Sequence, residues 1–104
     1  MEVELSPESE RDLEKIREYL NAEFGELHMK KAMKSLLDSI RGLSVNPKQG
    51  FDIGSRYGIE TDYYCLITKK NYVFYRLEDS GKVKIIRCLD FRQNFMQILF
   101  GVSE

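Results

Sequence analysis

Apolar positions change their period partway along the chain. Glu2 to Leu5 alternates charged and apolar residues, with Val3 and Leu5 on one side, which suits a short edge strand. Ser6-Pro7 then marks a helix start, because serine accepts from an orphan amide and proline fits a first helical position that needs no N–H. Glu8 and Glu10 complement the positive end of that helix. Leu13, Ile16 and Leu20 recur at helical spacing, with Tyr19 and Phe24 at the margin, and predict a helix over residues 7–23 that Gly25 ends. A second helical strip follows in Met29, Met33, Leu36, Leu37, Ile40 and Leu43, with Lys30, Lys31, Lys34, Asp38 and Arg41 on the other face. It stops at Asn46-Pro47, where proline cannot continue a helix. Two amphipathic helices joined at a glycine make an antiparallel hairpin with one apolar face to bury.

Beyond the hairpin the period shortens to two. Residues 48–58 carry three glycines and no periodicity, and read as a loop. Three runs rich in β-branched and aromatic residues follow, over 63–67, 72–77 and 83–89. Short polar stretches separate them, so consecutive hairpins should form a three-stranded antiparallel meander. A short helix over 91–100 closes the chain, with Phe95, Ile98 and Leu99 packing inward. The order of elements excludes a doubly wound sheet, which would alternate helix and strand. The fold class is therefore α+β: an N-terminal strand, the helical hairpin and the meander. Val3, Leu13, Ile16, Leu20, Met33, Leu36, Leu37, Ile40, Val73, Tyr75 and Ile86 are expected to share one core between hairpin and sheet. The other sheet face should be partly free, and free faces of small α+β domains are where sites tend to be built.

With 104 residues, 42% of them apolar and 32% charged, one domain spanning 1–104 is expected. The net charge of -1 argues against wrapping along DNA through bulk positive charge, but it conceals an asymmetry. Residues 1–26 hold nine acidic and three basic residues, a net -6, and residues 27–104 hold 13 basic and eight acidic, a net +5. No apolar run is long enough to span a membrane, and the opening Met-Glu-Val-Glu is unlike a signal peptide, so a cytoplasmic location is expected. Cys65 and Cys88 lie in strand-like runs and read as buried thiols. The lone His28 reads as a solvated helix residue, and these three side chains make no metal site. No cofactor motif is present either.

Nucleophile elbows, P-loops, zinc-protease motifs and dinucleotide turns are absent, and a single histidine gives a Ser-His-Asp or Cys-His device no footing. The β half instead carries cations and aromatics: Arg56, Tyr57, Lys69, Lys70, Tyr72, Arg76, Arg87 and Arg92. Arginine's planar fork matches phosphate, and tyrosine can stack on a base. On composition alone the plainer reading of such residues is a solvated face.

The run Lys70-Asn71-Tyr72-Val73-Phe74-Tyr75-Arg76, an acidic turn, Ile85-Ile86-Arg87-Cys88-Leu89-Asp90-Phe91-Arg92-Gln93-Asn94-Phe95 and then Ile98-Leu99-Phe100 resembles the RelE/ParE superfamily of bacterial toxins. The opening Leu5-Ser6-Pro7-Glu8 and the stop at Asn46-Pro47 are similar to that family's first strand, capped helix and helix end, so the likeness covers nearly the whole chain. It implies a toxin neutralised by a cognate antitoxin whose flexible segment covers its site. It further implies growth arrest by ribosome-dependent mRNA cleavage or, in ParE-like members, non-catalytic poisoning of DNA gyrase; a third possibility is a non-toxic, antitoxin-binding member. For a ribonuclease, the likeness places Arg92, Arg87, Arg76 and Tyr72 in the catalytic set and Arg56, Lys69 and Lys70 on RNA. Three features depart from the ribonuclease pattern: Tyr72 stands where many members have arginine, Asp90 where histidine or tyrosine is common, and the overall charge is low.

Overall fold

A computed structural model describes residues 1–102. Strand β1 (Glu2–Leu5) leads into helices α1 (Pro7–Phe24) and α2 (Glu26–Arg41). A 3₁₀ turn (Gly42–Ser44) follows, then β2 (Phe51–Asp52), α3 (Ile53–Tyr57), β3 (Tyr64–Ile67), β4 (Asn71–Leu77), β5 (Lys82–Asp90) and α4 (Phe95–Phe100). The strands form one sheet in the order β1-β5-β4-β3-β2. The meander β3-β4-β5 is antiparallel as expected, and β1 adds to it in parallel, pairing Val3 with Val83 and Leu5 with Ile85. The fold class α+β stands.

The helices begin and end where local chemistry says they must. Ser6 Oγ accepts the Ser9 amide at 3.0 Å, and Pro7 occupies the first turn of α1. Gly25, at φ +86°, is the only residue between α1 and α2, a conformation a side chain would resist. The hairpin packs Leu13, Met29, Met33, Leu36, Ile40 and Leu43 onto Leu66, Val73, Tyr75, Val83, Ile85 and Cys88 of the sheet. Val3, Ile16, Leu20 and Leu37 join this core from its margins.

Four expectations need correction. The opposite sheet face is covered: Ile53 of α3 and Phe95, Leu99 and Phe100 of α4 pack over Cys65, Phe74 and Leu89 as a second core. Ile86 belongs to this second core, because the β4–β5 pairing shifts register between Phe74 and Tyr75, passing from Tyr75–Ile85 to Phe74–Arg87 and leaving Ile86 as the extra residue of a bulge. The stretch 48–58 is structured, since Phe51 pairs with Cys65 and Asp52 Oδ1 caps α3 by accepting the Ser55 amide at 3.2 Å. In the last helix, Asn94 is the cap rather than the residue before Phe91. Ile98 is 41% exposed, and Phe100 packs inward beside Phe95 and Leu99.

Polar groups, not apolar ones, fasten α1 to the free edge of β5 beyond the end of β1. The Ser6 amide donates to the Ile85 carbonyl at 2.9 Å, and its hydroxyl donates to the Ile86 carbonyl at 2.9 Å. Nearly two turns on, Asp12 Oδ2 accepts the Cys88 amide at 2.9 Å. Toward the opposite edge of the sheet, the Tyr75 hydroxyl accepts the Gly50 amide at 2.9 Å and so ties the 46–52 segment to β4.

Candidate functional site

The β3–β4 hairpin and the turn after β5 meet at one end of the sheet. Thr68 closes the hairpin, its amide donating to the Asn71 carbonyl at 2.9 Å while its Oγ1 accepts the Asn71 amide at 3.2 Å. Lys69 and Lys70 are thereby presented to solvent. The Phe91 amide donates to the Lys70 carbonyl at 3.2 Å, which holds the following turn against the hairpin. Asp90 shapes that turn, accepting the Arg92 amide on Oδ1 at 2.8 Å and the Gln93 amide on its carbonyl at 3.1 Å.

Beside these cations lies a continuous aromatic surface. Tyr72 stands opposite Ile67 and contacts Phe91, Phe95 and Phe74 at ring-centroid distances of 4.9, 5.1 and 5.9 Å. Phe95 continues to Tyr57 at 6.0 Å, Tyr57 to Phe51 at 6.4 Å, and the Arg56 guanidinium lies 3.9 Å over the Phe51 ring. Ile67, Tyr57 and Phe91 are 55%, 45% and 41% exposed. Two exposed rings and Ile67, backed by the half-buried Tyr72, Phe95 and Phe51 and with cations at the rim, have the composition of a protein-binding surface.

Of the residues singled out from sequence, Tyr72, Lys69, Lys70 and Arg92 share this end, and Arg56 borders the far side of the aromatic strip. Arg76 and Arg87 do not join them. Arg76 stands opposite Lys84 near the other end of β4 and pairs with Glu78 at 3.2 Å. Arg87 is held by Asp12 through Nε–Oδ2 at 2.6 Å and a second bond at 3.0 Å, and Asp12 itself is 8% exposed. Arg92 lies 3.6 Å from Asp90 and 5.6 Å from the centroid of Tyr19. The Asp12 carboxylate raises the pKa of Arg87, and the charge of Asp90 raises that of Arg92. Burial pushes both cysteine thiols up to about 12, so each is held as the neutral thiol. Sequence reasoning missed the contribution of Phe91 and Ile67 to this surface, and the carboxylates of Asp12 and Glu78 that hold Arg87 and Arg76. The aromatic residues were visible, but only the packing of α4 onto the sheet brings them together.

Residues 3–95 match the sequence profile of the ParE toxin of the type II toxin-antitoxin system, parDE. The chain belongs to this family. Among solved structures, the ParE-family fold recurs in the chromosomal ParDE toxin-antitoxin system from P. aeruginosa, at 16% identity and a TM-score of 0.73. It recurs also in the toxin-antitoxin complex RelBE2 from Mycobacterium tuberculosis, at 17% identity and a TM-score of 0.61. Each similarity covers 86% of this chain and 95% of the other. None of the curated proteins matches the chain. As a ParE-family member it is the toxin of a type II toxin-antitoxin system.

Proposed function

We propose that this ParE-family toxin arrests growth by binding its target rather than by cutting RNA, and that the target is DNA gyrase in the cytoplasm. The observation that carries this reading is the pairing of Arg76, Arg87 and Arg92 with Glu78, Asp12 and Asp90 at three separate places: on β4, at the joint of α1 with β5, and on the turn after β5. Phosphoryl-transfer chemistry on RNA needs cations convergent on one phosphate beside a group that moves a proton near neutral pH. Here the arginines are dispersed and partly neutralised. The aromatic surface rimmed by Lys69, Lys70 and Arg56 suits the cognate antitoxin, through an amphipathic segment with acidic residues at its margins.

The experiment pairs a gyrase supercoiling assay with primer-extension mapping of transcripts after induction. Supercoiling inhibited by the purified chain, with transcripts intact, is the expected result. Cut transcripts with unimpaired gyrase would replace this reading with ribosome-dependent cleavage.

A further inference from the structure

The tip of the helical hairpin is a second exposed surface, opposite in charge to the first. At its apex Phe24 is 52% and Leu27 71% exposed, one on each side of Gly25, and Tyr19 one turn back is 45% exposed. These residues are ordered against one another: Phe24 meets Tyr19 edge-on at 6.3 Å and His28 at 4.7 Å. The core does not include them: its hairpin contacts run through Leu13, Ile16 and Leu20 of α1 and Met29, Met33, Leu36, Leu37 and Ile40 of α2. Around them the charge is acidic. The last turn of α1 has no basic residue, and Glu18 and Glu23 have no ion-pair partner among the described residues, unlike Glu8, Glu14 and Glu26 with their helical neighbours Arg11, Arg17 and Lys30. Unpaired carboxylates beside exposed apolar side chains favour a partner surface that offers an apolar recess flanked by lysine or arginine, and they repel anionic lipid and nucleic acid.

We infer that the acidic, apolar apex at Phe24 and Leu27 is the surface through which the toxin engages its target; the cationic sheet surface that suits the antitoxin begins behind it, where the Arg92 guanidinium lies 5.6 Å from the Tyr19 ring. The inference rests on the reading that the toxin acts by binding. Phe24 and Leu27 are the anchors, seated in the partner's recess, and Glu18 and Glu23 meet its basic rim.

The test uses the full chain with Phe24→Asp and Leu27→Asp together, and separately with Glu18→Lys and Glu23→Lys. Both positions of the first pair are exposed, so its melting temperature should match the wild type. Growth arrest on induction should be lost, and the concentration needed to inhibit gyrase supercoiling should rise at least about tenfold, as loss of an interface anchor does. Antitoxin affinity should stay within about twofold, because charge and contact changes outside an interface leave it unchanged. The lysine pair should weaken inhibition too and reduce its sensitivity to salt. A folded tip variant that still arrests growth in full overturns the inference alone. So does loss of antitoxin binding in the same variant, which would assign the tip to the antitoxin, and so does self-association that the tip variant abolishes, which would assign it to a second copy. A wild-type chain that cuts transcripts and leaves gyrase untouched instead removes the binding reading on which the inference stands.

Discussion

Asp12 and Arg87, 75 positions apart in the chain, meet in a two-bond ion pair whose carboxylate also accepts the Cys88 amide. This relationship makes Arg87 part of the joint between α1 and the edge of β5. Removing one partner leaves the other charge in a place shielded from water, so Arg87→Ala should cost roughly 2–4 kcal/mol. Asp12→Ala should cost at least as much, because an edge amide also loses its acceptor. Urea unfolding of both single variants and the double variant measures the coupling. Singles that unfold like the wild type would return Arg87 to the candidates for a functional role.

Arg92 makes the contrasting case. Its side chain is 74% exposed and its carboxylate partner lies on the same turn, so Arg92→Ala should leave the melting temperature essentially unchanged. For a toxin that acts by binding through another surface, growth arrest should persist as well. A catalytic arginine predicts a loss of about 10²–10³ in cleavage, and comparison of growth curves after induction separates the two.

Gly50 admits no side chain. A Cβ built there would fall 2.6 Å from the Cys65 carbonyl oxygen and 2.7 Å from the Tyr75 hydroxyl. Gly50→Ala should destabilise by roughly 1–3 kcal/mol as the 46–52 segment shifts off the sheet. Tyr75→Phe keeps the packing and removes only the acceptor for the Gly50 amide, at about 1 kcal/mol. Thermal melts that rank the two variants in the reverse order would contradict this account.

Glu4 gives the stability a pH dependence of known sign. Hydrogen bonds from Lys84 and Lys82 hold its carboxyl below the usual carboxylate range. A depressed folded-state pKa contributes stability above the unfolded value and loses it as pH falls through the folded value. Glu4→Gln should therefore unfold more readily than the wild type at neutral pH, and the gap should close in acid. Chemical denaturation of both proteins at pH 7 and at about pH 3 checks this.

The two cysteines should be silent to alkylating reagents. Cys65 is fully buried and Cys88 nearly so, and burial pushes both thiols up to about 12. Iodoacetamide at about pH 8 should leave the native chain unmodified and label both positions in denaturant, as read by intact mass.

Most of the architecture was legible in the sequence because its signals are local. The Ser6-Pro7 start, the Gly25 break and the three β runs each specify an element within a few residues, and the observed bounds of α1 lie within one residue of those expected. What was not legible depends on distant partners. Ile86 faces the second core because of a register shift that no period-two pattern records. Phe51 to Tyr57 are structured because Cys65 and the Tyr63 carbonyl wait for them across the sheet. The same holds for the site: arginine marks a candidate in sequence, but whether it is free depends on an acid as far off as Asp12. Lys69, Lys70 and Tyr72 were brought together as expected because a single hairpin carries all three.

The parallel pairing of β1 with β5 sets an order of events. The strand partner of Val3, Val83, leaves the ribosome 80 positions after it. Until then the apolar side of β1 and the inner face of the helical hairpin have no complete sheet to cover them. The Asp12–Arg87 joint waits on the same late segment. Synthesis therefore produces the helical hairpin before the strand that joins β1 to β4, so a toxin truncated before β5 should behave as an unfolded chain and not as a weaker toxin.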